Sequence, residues 1–117
     1  MNAVTEAELN VKAVAPRVTL VRVEGVIDDV SYYVFPSTNL TVCCIKLTNG
    51  FTVTGEAACA SDGNFNAELG RRIAYTKAKD KIWMLEGYLL RQQLFDEAQA
   101  LEQVKAAHAL DSLEGSY

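Results

Sequence analysis

Apolar residues recur at helical spacing over one long stretch, 66–95 (NAELGRRIAYTKAKDKIWMLEGYLLRQQLF), which predicts a single helix of roughly eight turns. Either Asn64 or Asn66 can cap it, and Glu68 sits in the first turn, where the helix dipole favours a carboxylate. Two apolar faces run along it. One carries Leu69, Ile73, Trp83, Gly87, Leu90 and Leu94; roughly opposite lie Ala74, Ala78, Ile82, Leu85 and Leu89. From Ile82 to Leu90 the helix is apolar nearly all round, and such a helix must be buried on more than one side. Gly87 in mid-helix costs about 1 kcal/mol relative to Ala, which suggests close approach by another backbone. Ile82, Leu85, Gly87 and Leu89 are therefore candidate residues of an oligomer interface.

Upstream the pattern changes. Over 18–35 period-two alternation fails, whereas Leu20, Val23, Ile27, Val30 and Val34 share one helical face behind a Thr19 cap, so a helix is expected over about 20–31. A short strand can follow at Tyr32 to Phe35. Leu40 to Leu47 reads as a strand, and Asn49-Gly50 between two apolar runs signals a type I′ hairpin turn with Phe51 to Thr54 returning. Downstream, Asp96 can end the long helix or cap a new one, and residues 96–117 are expected as a C-terminal helix with a frayed tail. Leu101, Val104 and His108 lie on its one stripe. Residues 1–16 read as an N-terminal arm. The expectation is a single α+β domain over 17–95: an N-terminal helix, a small antiparallel sheet built on one β-hairpin, and one long helix.

Composition narrows the class. At 117 residues, half of them apolar, the chain has the size of one domain with one core. A net charge of −4 argues against duplex DNA as a ligand, because broad phosphate contact needs a basic surface. The charge is unevenly spread: six basic residues against Asp80 and Glu86 give 71–91 a local +4 and leave −8 elsewhere. Cys43, Cys44 and Cys59 are an odd number with no metal-ligand spacing, which favours reduced thiols and small buried hydrophobes. The first 16 residues do not read as a signal peptide, and no apolar run approaches the ~20 residues of a membrane span, so a cytoplasmic protein with no membrane contact is expected.

No residue set makes a reaction centre. His108 is the lone histidine, Asp28 and Asp29 would diverge by about 100° on a helix, and Asp62-Gly63-Asn64 fits a turn better than a calcium loop. The chain is therefore expected to be no enzyme, to need no cofactor and to hold no metal. One functional candidate remains on the long helix. Arg71, Arg72, Tyr75 and Lys79 share a broad sector in which cations and an interleaved tyrosine could hold phosphate and stack a base. An ordinary solvated face is the competing explanation. Lys77, Lys81 and Tyr88 form a second sector, and Trp83 is assigned to the core.

Two runs, LTNGFTVTGEAACAS at 47–61 and NFNAELGRRIAYTKAKDKIWMLEGYLLRQQLF at 64–95, resemble the small tailed-bacteriophage proteins typed on phages N-four and Sf-six. RVTLVRVEGVIDDVSYY at 17–33 looks like a diverged version of the helix that opens those proteins, with Leu20 after Thr19 where the family tends to have proline. The resemblance implies a phage origin and expression inside the infected host, and it carries over no catalytic residue. The resulting expectation is a homo-oligomeric accessory protein that binds a small anionic nucleotide or a host defence protein. Contact with single-stranded nucleic acid during phage DNA metabolism is the alternative, and an unrecognised hydrolase is a third reading.

Overall fold

The hairpin signalled by Asn49-Gly50 supplies the central and one edge strand of a three-stranded antiparallel sheet, and a single long helix lies across one face of it. The computed structural model describes residues 16–114, with side chains to Asp111. The expected arm lies outside the described residues except for Pro16, as does the end of the tail. In chain order the elements are α1 (Leu20–Gly25), β1 (Ile27–Val34), β2 (Thr41–Leu47), β3 (Thr52–Ala57), a 3-10 turn at Asp62–Asn64, and α2 (Ala67–Glu114). The α+β class is as expected. Three of its details differ.

The first helix is one turn and a half, not three. Thr19 caps it as anticipated, its Oγ1 accepting from the Arg22 amide at 3.2 Å. The helix then ends at Gly25, and the Val26 amide closes back on Arg22 O at 3.2 Å. The residues expected as its second half form β1, paired with β2 from Ile27 opposite Leu47 to Val34 opposite Thr41. A bulge between Ile27 and Asp29 explains why alternation is invisible in the sequence. One window averages a helical turn, an extra strand residue and a strand. Beyond the bulge, Val30, Tyr32 and Val34 do alternate, facing Ile45, Cys43 and Thr41. Asp28 and Asp29 therefore sit on a strand, exposed, with Asp28 ion-paired to Lys46 at 3.2 Å.

The hairpin turn is not type I′. Only Gly50 has positive φ, at 89°, and Leu47 O accepts from the Gly50 amide at 2.9 Å. This is a type I turn completed by a left-handed glycine, a three-residue connection, with Asn49 Oδ1 accepting from the Phe51 amide at 3.0 Å. The returning strand also runs past Thr54 to Ala57 and contains Gly55.

The third difference is that no separate C-terminal helix exists. Asn66 caps α2, its Oδ1 accepting from the Leu69 amide at 3.1 Å, and the helix then runs unbroken for 48 residues. Asp96 does not cap because the helix continues through it and leaves no free amide there; its carboxylate accepts from Gln92 Nε2 at 2.9 Å, and Glu97 accepts from Gln93 at 3.2 Å. No Pro or Gly falls between Tyr88 and Glu114 to interrupt a run of strong helix formers. At 1.5 Å per residue the helix is roughly 72 Å long and accounts for most of the 85 Å long axis.

The core lies between β2, β3 and the first half of α2. Cys43, Ile45, Ala74, Ala78, Ile82 and Val23 are fully buried, and Trp83 and Leu85 pack half-buried against them. Alanines line the helix where it crosses the sheet because Gly55 lets the backbones meet. A Cβ at Gly55 would fall well inside contact distance of Ala74 O and Ala78 N, and 3.0 Å from the Lys77 carbonyl carbon. Backbone cannot yield there as a flexible side chain could. Gly55→Ala should lower unfolding free energy by about 3 kcal/mol or more in urea titration, whereas Gly25→Ala, which meets nothing within 4 Å, should shift it by less than about 1 kcal/mol.

Candidate functional site: a cationic-aromatic flank beside a paired cleft

The basic sector of α2 is divided by the fold. Positions 71, 75 and 79 follow the flank of the helix that borders β1 and α1. Arg72 points away, toward Leu69, Ile73, Thr76 and Lys77. Lys79 is engaged within the chain: its Nζ bonds Glu24 Oε1 of α1 at 3.1 Å and lies 5.8 Å from the centre of the Tyr75 ring. Its side chain retains only 20% exposure, so it serves first as a strut between the helices.

Tyr32, which the spacing of residues along α2 could not single out, takes its place. On the inward-facing set of β1 yet 41% exposed, it stands where Arg71 and Tyr75 both act on its phenol. Burial and the neighbouring Cys43 thiol push the Tyr32 pKa up, Tyr75 adds to the rise, and the Arg71 guanidinium pulls it back. Arg71, Tyr75 and Tyr32 thus lie close enough for their charges to be felt on one phenol, with Arg71 exposed and one helical turn from Tyr75. The only sequence signal for Tyr32 is its place in the Val30, Tyr32, Val34 alternation, which the bulge obscures.

A family model described as the phage protein (N4 Gp49/phage Sf6 gene 66) family matches residues 18–94, about two thirds of the chain. The chain belongs to this family. No curated protein and no solved structure matches it. The family segment contains α1, the whole sheet, the Arg71 flank and the first part of α2, and it stops at Leu94.

Within that segment a second concave feature lies beside the hairpin turn. A cleft of about 320 Å³ is walled by Val26, Leu47, Phe51, Leu85, Tyr88 and Leu89, and the Arg22–Glu86 ion pair also lines it. Arg22 Nε donates to Glu86 Oε2 at 3.0 Å, and the Glu86 side chain is only 10% exposed. The Thr48 amide donates to Val26 O at 2.9 Å, tying the turn to the end of α1. Of the four interface candidates, Ile82 is fully buried in the chain's own core, and Leu85 and Leu89 line this cleft. Gly87 opens outward, with nothing within 4 Å of the point where a Cβ would stand.

The remaining candidate chemistry is structural. Asn39 bridges two loops, its Nδ2 donating to Cys59 O at 2.9 Å and to Asp62 Oδ1 at 3.0 Å, so Asp62-Gly63-Asn64 is a pinned turn. His108 lies exposed on the far part of α2. Among the described residues no group of three or more His, Cys, Asp and Glu could hold a metal ion, and no helix is long and apolar enough to cross a membrane.

Cys43 is fully buried, and burial raises its thiol pKa above the usual 9.0 even though the Tyr32 hydroxyl works in the other direction. Cys43 should resist a thiol reagent until the protein unfolds, while half-buried Cys44 and Cys59 react earlier. Both raised groups bind protons more tightly folded than unfolded. Their contribution to stability is therefore complete below pH 9 and falls as alkali ionises first the unfolded thiol and then the unfolded phenol. Thermal melts from about pH 7 to about pH 10.5 should show that loss, and Cys43→Ala should reduce its slope.

Proposed function

We propose that this family member is a non-enzymatic phage accessory protein that acts in the infected host by binding, and that its ligand is a small anionic nucleotide held on the Arg71 flank. Sequestering a nucleotide signal used by host defence is the role that fits such a site. What supports this reading is that an exposed Arg71 stands one helical turn from Tyr75 on the flank beside Tyr32. A guanidinium supplies a charge-assisted, bidentate grip on phosphate, and a phenol ring supplies a stacking face for a base. The overall negative charge repels long polyanions while leaving this local cation available, which favours a small ligand over a long strand.

The cleft supports a second reading, in which the bound species is a host defence protein. Its walls are apolar, and Phe51, Tyr88 and Leu89 are 56%, 70% and 54% exposed, so a partner side chain seated there would cover surface now facing water. The two readings separate by mutation.

Calorimetry with cyclic and linear nucleotides should find a binder whose affinity falls at least about tenfold in Arg71→Ala and in Tyr32→Ala, with Arg72→Ala close to wild type. Melting temperature should move little in Arg71→Ala, because the side chain is exposed. No nucleotide binding, together with a host protein captured by wild type and by Arg71→Ala but lost in Leu89→Asp, would replace the first reading with the second. Affinity that rises with oligonucleotide length and collapses with salt would instead assign the flank to single-stranded nucleic acid.

A further inference from the structure

The two apolar stripes that the sequence distributes over separate helices fall on one helix, and their spacing is continuous. From Leu94 the steps run to Glu97, Leu101, Val104, His108 and Asp111, alternating three and four residues, the repeat of a two-stranded coiled coil. Among the described residues nothing covers this seam: every residue from Phe95 to Asp111 is exposed, Leu101 at 53% and Val104 at 65%. An unpacked helical tail of about 20 residues is marginal in water. The family match stops at residue 94, so every seam position after Leu94 lies outside the family segment.

We propose that the tail pairs with the tail of a second copy as an antiparallel two-stranded coiled coil centred between Leu101 and Val104. Charge decides both orientation and register. In a parallel pair each seam position meets its own copy, which would place two Glu97 carboxylates in contact and two His108 rings in contact. In an antiparallel pair with Leu101 opposite Val104 of the second copy, counting one layer outward sets Glu97 opposite His108, and symmetry makes this happen twice. Each carboxylate then meets an imidazole N–H donor. Gln93 engages one oxygen of Glu97 at 3.2 Å from within the same helix, which holds the carboxylate along the seam.

The flanking positions agree with the same register. Ala100 faces Ala107, which permits close helix approach, and Ala98 faces Lys105, so no like charges oppose across the pair. Leu94 meets Asp111 at the ends of the overlap, where the carboxylate reaches water. The pairing makes the projecting half of α2 the assembly device and leaves the Arg71 flank and the cleft uncovered. It does not rest on the nucleotide reading.

Sedimentation equilibrium of the full chain at micromolar concentration should return a dimer. Glu97→Lys and His108→Glu should each raise the dimer dissociation constant by about tenfold or more, and the double variant Glu97→Lys/His108→Glu should return to within about threefold of wild type, since it again sets an N–H donor opposite each carboxylate. Leu101→Asp should give a monomer, with near-ultraviolet circular dichroism of the Trp83 region confirming that the core remains folded. A wild-type monomer at tens of micromolar overturns the proposal, whatever else covers the seam. A dimer that survives Leu101→Asp, or a double variant as weak as the single ones, overturns it equally.

Discussion

Everything in the folded segment depends on how closely α2 can lie on β3. Gly55 has no side chain, Ala74 and Ala78 have the smallest ones, and the three together let helix backbone rest on strand backbone. Dispersion contacts accumulate over such a surface because nothing holds the two elements apart. The same approach fixes the rotation of the helix about its own axis. Once 74, 78 and 82 face the sheet, residues 71, 75 and 79 must follow the flank beside β1, and 72 must point away. The composition of the candidate site is thus a consequence of core packing.

The periodicity of residues 66–95, the cap at Asn66 or Asn64, and the hairpin are legible in the sequence because each rests on a local rule that the tertiary structure leaves intact. Beyond that, two competing effects override the pattern. In 20–34 a 3, 4, 3, 4 spacing of apolar residues looks helical, but pairing with Leu47 to Thr41 brings Ile27 and Val30 against the core beside β2, a tertiary gain that local spacing does not encode. At Asp96 the residue type suits a cap, yet a cap forms only where free amides need an acceptor, and the continuous helix leaves none there. For the site, Arg71 and Tyr75 are visible from spacing. The diversion of Lys79 to Glu24 and the arrival of Tyr32 join residues far apart along the chain, which no local pattern encodes.

The distinctive side chains of this small protein lie at its margins. The sheet and the alanine face leave little interior: the largest fully buried side chains are Ile45, Ile82, Val23, Thr41 and Cys43. The chain instead carries a large apolar and aromatic population outside, with Phe51, Met84 and Tyr88 among the exposed side chains around the middle of α2. Two ion pairs, Arg22–Glu86 and Glu24–Lys79, hold α1 to the long helix along this zone and keep its polar and apolar features in fixed relation.

An uninterrupted α2 also behaves as a lever. Its sheet-bound end is clamped by backbone contact, and roughly 30 Å of helix extends past the last half-buried residue, Leu94. A rotation of only about 5° at the clamp would displace the far end by about 5 Å, given the 1.5 Å rise per residue between Ala78 and Glu114. A change in packing near Gly55 or in the strut between Glu24 and Lys79 is therefore magnified along the rod, and motion imposed at its tip is returned to the flank of the sheet at reduced amplitude but greater force.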